Sequence, residues 1–208
     1  MLTTKTISSA APGVALALAL VLSGQAFGQG DPASQATAVV SAAMDRVLAL
    51  AQDKSLDTEQ RRTRIEDLAR SEFAWPTMSK LVLARNWRKL TDAQKKEFVT
   101  AFQNHLAVVY GTRLQQIHDE QIEVSPGSVA SNGDVTVKTT IHGGKADGVV
   151  IGYRLRDTDG TWKAIDVIIE GVSLVSNFRA QMREIISSSG IDGLIAKLQE
   201  KNAAAASD

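Results

Sequence analysis

Apolar residues recur with helical spacing through most of the first half of the chain, beginning near Asp31. Asp31 followed by Pro32 predicts a helix start, because a carboxylate caps a helix well and proline fits its first turn. A second helix of about 15 residues is predicted after residues 53–55, capped by Asp57 or Thr58, and a shorter third over about residues 77–85. A Thr91-x-x-Gln94 capping box predicts the start of the longest helix.

The spacing of apolar residues changes from helical to alternating after Gln121. Alternation over residues 135–142, 149–156 and 165–169 predicts strands with one buried face, and a further strand is predicted over residues 121–129. Asn132-Gly133 and the DTDG sequence at 157–160 predict tight turns between these strands. Such short connections favour an antiparallel meander over a parallel sheet.

Helical spacing returns from Ser173, with a helix end predicted at Gly190 and a last helix over residues 192–201. Residues 203–208 are predicted to be a frayed tail. The element order predicts an α+β fold, in which helices pack on one face of a curved, mainly antiparallel four-stranded sheet. A sheet lined by Val, Ile and Leu could enclose an apolar cavity, but a filled core requires the same side chains, so the pattern leaves both open.

The N-terminal residues have the organisation of a secretory signal. Lys5 precedes an apolar run at 14–22, and Ala26-Phe27-Gly28 supplies small residues at the positions that a signal peptidase recognises. We therefore expect residues 1–28 to be a cleaved signal peptide and residues 29–208 to form a single domain. An uncleaved anchor is the alternative, although the run is shorter than the roughly 20 residues of a typical membrane span.

Composition and motifs give little support for catalysis. The chain has 23 basic and 23 acidic residues, a balance that argues against nonspecific nucleic-acid binding. The sequence contains no cysteine, zinc-binding helix motif, nucleophile elbow, phosphate loop or dinucleotide fingerprint, so no metal site or cofactor is predicted.

Asp166 and Glu170 could form an acid–base pair on one strand face, with a histidine as another candidate base. More often such residues are solvated or pair with basic residues such as Arg154 and Arg156 on the neighbouring strand, so we do not expect the protein to be an enzyme.

A basic and aromatic cluster, Arg85, Trp87, Arg88 and Lys89, lies between the predicted third and fourth helices. It could dock an acidic partner or a lipid headgroup. Alternatively, Trp87 covers the core while the charged side chains are solvated. The sequence leaves both interpretations open.

Three stretches resemble the MlaC family of periplasmic transport auxiliaries, also called toluene-tolerance proteins. They span residues 81–114, 153–181 and 190–202, and the most specific block is W-K-x-x-D-x-x-x-E-G-V-S-L-V-x-N, from Trp162 to Asn177. The resemblance implies a nuclear-transport-factor-like cone with an internal apolar cavity. It also implies a periplasmic carrier that shuttles phospholipid between an outer-membrane lipoprotein complex and an inner-membrane ABC transporter with its substrate-binding subunit. Such transport would maintain outer-membrane lipid asymmetry.

On that resemblance, a set of mostly apolar side chains from the long helix, the sheet and the junction after it would line the acyl-chain cavity. These are Tyr110, Leu114, Val137, Ile151, Tyr153, Val167, Ile169, Val172, Leu174, Val175 and Phe178. Arg85, Trp87 and Arg88 would be the docking candidates. The alternatives are a carrier of another lipid, such as a hopanoid, an adaptor of the transporter that carries nothing, and an enzyme on the same fold that uses Asp166 or a histidine.

Overall fold

Four helices precede the sheet in the computed structural model, which describes residues 30–114 and 120–205 but not the side chains of 111–114. They are α1 (Pro32–Gln52), α2 (Thr58–Glu72), α3 (Trp75–Leu83) and α4 (Asp92–Leu114), with a 3-10 helix (Ala84–Lys89) between α3 and α4. Asp31 caps α1, and Asp57 caps α2 by accepting a 2.8 Å hydrogen bond from the Gln60 amide. The predicted signal peptide and His118 lie outside the described residues.

The predicted capping box of α4 is confirmed. The Gln94 side chain accepts from the Thr91 amide at 3.0 Å, and the Thr91 hydroxyl accepts from the Gln94 amide at 3.2 Å. These two bonds satisfy backbone donors that the first turn of a helix leaves without partners.

A single antiparallel sheet follows α4. Its strands are β1 (Gln121–Val124), β2 (Ser128–Val129), β3 (Val135–His142), β4 (Val150–Thr158), β5 (Thr161–Ile169) and β6 (Val172–Ser173). The order is β1-β3-β4-β5-β6, with β2 also paired to β3. The predicted α+β class is confirmed, and the two-residue strands β2 and β6 supplement the four longer ones. The register of β4 against β5 shifts at Arg154/Leu155, where Ile165 is the additional residue.

The last element, α5 (Leu174–Ala205), is interrupted at Gly190, as the sequence predicts. Gly190 has φ 69° and ψ −171°, a region that essentially only glycine occupies. Beyond it α5 packs along α4, where Gln94 donates to Asp192 at 2.7 Å and Asn202 donates to the Ala101 carbonyl at 2.9 Å. The helix reaches Ala205, into the tail predicted to fray, and residues 206–208 lie outside the described part.

Two groups of buried apolar side chains stabilise the fold. The helix core lies between α3, α4 and α5 and includes Phe98 and Phe102, both fully buried, with Phe178 edge-on to Phe102. The sheet core lies between α1 and the sheet and consists of Ala36, Val40, Val135, Val137, Leu155 and Trp162. Among the described helices, none combines the length and hydropathy needed to cross a membrane.

Candidate functional site

The five predicted cavity residues on β3, β4 and β5 all lie on one face of the sheet. Val137 is opposite Tyr153, which is opposite Val167, and Ile151 is opposite Ile169. Directly paired residues of neighbouring strands project to the same face. That face is the one the helices cover, because Val137 and Tyr153 belong to the sheet core around α1 while Val167 and Ile169 pack against the helix core.

Burial along this face is uneven. Val137 is fully buried, as are its neighbours Val135 and Leu155, which are 0% and 2% exposed. The other four, Ile151, Tyr153, Val167 and Ile169, are only half-buried although they lie on the helix-covered face. We call these four residues the open row. The helices cover these apolar side chains without burying them completely. The apolar surface that remains accessible could be buried by an apolar ligand.

Tyr153 carries the only hydroxyl within the open row. Its hydroxyl lies 4.0 Å from Met44 Sδ of α1, and burial raises the pKa of Tyr153 to about 12, an effect that Thr139 partly offsets. The phenol is therefore neutral at physiological pH. Met44 and Thr139, which is almost fully buried, were not among the predicted site residues. The alternation of β3 indicated the direction of Thr139, whereas nothing in the sequence indicated that Met44 of α1 would meet Tyr153.

The predicted residues outside strands β3, β4 and β5 are placed less uniformly. Leu174, Val175 and Phe178 are 7%, 1% and 5% exposed, and all three are members of the helix core. Tyr110 is half-buried against the same core, whereas Val172 is 58% exposed after the Glu170-Gly171 turn. The side chain of Leu114 lies outside the described part. That these residues line a ligand cavity remains a prediction.

The two carboxylates considered as an acid–base pair bind separate partners. Asp166 is 1% exposed and accepts from Arg154 at 3.1 Å, from the Ser173 hydroxyl at 2.6 Å and from the Val175 amide at 3.0 Å. Glu170 accepts from the Val150 amide at 2.6 Å. The contact between Asp166 and Arg154 is one of the alternatives that the sequence left open. The other Asp166 contacts fix the junction between β5, β6 and α5, a role that the sequence did not reveal. Among the described residues, no three acidic or histidine side chains are grouped closely enough to hold a metal ion.

The basic and aromatic cluster is divided between exposed and half-buried positions. Arg85 and Arg88 are exposed, whereas Trp87 is half-buried and packs against the helix core. Trp87 and Arg88 line a surface groove with a volume of about 400 Å³, and Arg85 lies beside it on the same 3-10 helix. Trp87 therefore does cover the core, and it also forms one wall of a groove.

The sequence and the fold both match known proteins. The MlaC protein family model matches residues 39–200, and the chain is 27% identical to the toluene tolerance protein Ttg2D of Pseudomonas putida over 105 residues. That alignment covers 50% of this chain and 49% of the relative, so the chain spans about half the length of the curated relative that it matches.

A solved structure shares the fold. It is the phospholipid-binding protein from Ralstonia solanacearum, determined in complex with a phospholipid, with a TM-score of 0.74 and 24% identity. The match covers 82% of this chain and 98% of that one. The family model matches residues 39–200, well over half of the chain, and this match shows that the chain belongs to the MlaC family.

Proposed function

We propose that this protein binds a phospholipid, with its acyl chains against the open row, and carries it between membranes. The observation that supports this most directly is the row itself: four adjoining, mostly aliphatic side chains on a helix-covered sheet face stay half-buried. A filled core would bury them as it buries Val137 and Leu155. The phospholipid bound to the Ralstonia solanacearum protein, which has the same fold, supports the choice of ligand.

The energetics explain why a carrier is useful. Each methylene exposed to water costs roughly 0.8 kcal/mol, so two acyl chains with about 30 methylenes represent on the order of 20 kcal/mol. A protein that covers the chains and leaves the headgroup in water lowers this barrier without a nucleophile, a metal or ATP. The partners of Asp166 and Glu170 fit a structural role for both carboxylates, so we propose binding rather than catalysis.

The cellular role we propose is a periplasmic shuttle. The signal-like residues 1–28 and membership of the MlaC family support export, and that family suggests an outer-membrane lipoprotein complex and an inner-membrane ABC transporter as partners. Transport of phospholipid between them would maintain the lipid asymmetry of the outer membrane.

Ligand binding is tested first by native mass spectrometry of the purified protein, with organic extraction and lipid analysis of the same sample. We expect diacyl phospholipid close to one per protein. A hopanoid in its place would retain the carrier but change the cargo. Protein that is free of lipid and takes up none from vesicles would contradict the proposal and favour a non-carrying adaptor.

The position of the site is tested by Val167→Trp, with Val129→Trp as the matched control. Val167 belongs to the open row, whereas Val129 is 49% exposed on β2. We expect Val167→Trp to reduce bound phospholipid at least tenfold while circular dichroism shows a folded protein, and Val129→Trp to retain normal lipid. Normal lipid in a folded Val167→Trp variant would show that the chains bind elsewhere.

Transport, as distinct from binding, is tested with donor and acceptor vesicles and a fluorescent phospholipid. A carrier should raise the transfer rate in proportion to its concentration, and Val167→Trp should abolish the increase. Stoichiometric lipid binding without any transfer would restrict the function to sequestration.

A further inference from the structure

The segment formed by α3 and the 3-10 helix is basic in a chain whose overall charge is balanced. Residues 73–91 contain four basic side chains, Lys80, Arg85, Arg88 and Lys89, and no Asp or Glu. All four side chains are exposed. Within the described part of the chain, none of the four forms an ion pair, whereas Arg46, Arg62 and Arg154 each do. Positive charge is therefore concentrated on one exposed segment, and none of its four basic side chains has an ion-pair partner among the described residues.

Part of this segment, including Lys80 and Arg88, lines a groove. The groove of about 400 Å³ is lined by side chains from α3, the 3-10 helix, β4 and α5, which are Thr77, Lys80, Leu81, Ala84, Trp87, Arg88, Arg156 and Arg179. Four of these are cationic and none is acidic. Arg156 is neutralised by Asp134 at 2.7 Å, while Arg179 is held in the wall by donating to the Leu81 carbonyl at 3.0 and 2.7 Å. Lys80, Arg88 and Arg179 thus surround a groove with Trp87 as an aromatic wall.

We propose that this basic groove docks an acidic segment of a partner protein. Carboxylate side chains provide the complementary charge, and the apolar surface of Trp87, Leu81 and Ala84 provides an area against which the segment can pack. A membrane surface fits less well, because bilayers contact side chains that protrude. Here Trp87 is half-buried against the helix core and the cationic side chains surround a depression.

The basic groove is separate from the proposed lipid site. Arg156 lies at the end of β4 that enters the 157–160 turn, whereas Ile151 of the open row lies near the start of that strand. A partner bound in the groove would therefore not cover the open row. The proposal therefore does not depend on lipid binding, and its test can be read even in lipid-free protein.

The probe is a synthetic peptide with Glu alternating with Ala, and the control peptide has Gln in place of Glu. Binding to the full-length protein is measured by calorimetry, and its position by NMR of the Trp87 indole, assigned by comparison with Trp87→Phe. The test variant is Lys80→Glu with Arg88→Glu. The matched control is Lys138→Glu with Lys197→Glu, which makes the same charge change at exposed positions away from the groove.

We expect the Glu peptide to bind saturably and shift the Trp87 resonance, and the Gln peptide to bind far more weakly. The groove variant should weaken binding roughly tenfold or more, because two attractive contacts become repulsive, while the control variant retains it. Circular dichroism and lipid content should be unchanged in both. If the variant with Lys80→Glu and Arg88→Glu misfolds, Lys80→Gln with Arg88→Gln gives the same test by removing the two charges instead of reversing them.

Three outcomes would overturn the proposal. One is that the Glu peptide fails to bind saturably. Another is an equal loss of binding in the groove and control variants, which would indicate a nonspecific response to net charge. The third is a Trp87 shift caused by anionic phospholipid vesicles but not by the peptide, which would assign this surface to a membrane.

Discussion

The two ends of the helix-covered sheet face differ in burial although their residues are of the same kind. At one end Val135, Val137 and Leu155 are almost inaccessible to solvent beneath α1. Toward the other end Ile151 of β4 and Ile169 of β5, which are equally aliphatic, remain half-buried, although Thr139 and Ile141 of β3 are buried there. The difference lies in how the helices cover the strands, not in the strands themselves. Core and candidate binding surface are therefore consecutive parts of one apolar face.

The contacts of Asp166, on the strand that spans both ends, should have the largest effect on stability. Asp166→Ala leaves Arg154 and the Val175 amide without their shared acceptor, so we expect a loss of about 3 kcal/mol in the free energy of unfolding. Urea denaturation followed by circular dichroism measures this. Asp166→Asn, which keeps an acceptor, should lose less. A loss below about 1 kcal/mol for the alanine variant would show that the junction does not depend on the carboxylate.

The difference between the two ends is tested directly by one truncation at each. Leu155→Ala should cost about 3 kcal/mol, because it opens a cavity in the buried end, whereas Ile151→Ala should cost only about 1 kcal/mol in lipid-free protein. The same denaturation assay compares them. Equal losses would mean that the open row is packed as tightly as the sheet core, which would remove the main support for the lipid site.

The smallest effect should be a pH dependence located at the buried end. Arg156 donates to Asp134 and holds the pKa of that carboxyl below its usual range. The ion pair therefore stabilises the fold above the unfolded-state pKa of about 4, and this contribution is lost as the pH falls through the lower folded-state pKa. Asp134→Asn should flatten the acid side of the stability curve, measured by urea midpoints from neutral pH downward. An unchanged curve would assign acid sensitivity to other carboxylates.

Much of the fold could be predicted from local rules, because its signals lie within a few residues of each other. The caps at Asp31, Asp57 and Thr91, and the helix interruption at Gly190, are all interactions or conformations of adjacent backbone. Within single strands, alternation likewise predicted that Ile151 shares a face with Tyr153 and that Val167 shares a face with Ile169. These features need no knowledge of which elements meet.

The candidate site was predicted less completely because its properties depend on contacts between distant elements. Alternation assigns Val137 and Ile151 the same pattern, yet only the former is fully buried beneath α1. The partners of Asp166 come from β4, β6 and α5, so its structural role could not be separated from a catalytic one by sequence spacing. The basic groove likewise required Arg179 of α5 to meet α3.

The return of α5 along α4 after Gly190 has a consequence for the order in which the protein folds. Leu194, Ile195 and Leu198 complete the core around Phe98, and the hydrogen bond from Asn202 to Ala101 joins residues 101 positions apart in sequence. Contacts between such distant residues form slowly, because a long loop must close first. The helix layer can therefore be completed only after the part of α5 that follows Gly190 is available to pack on α4.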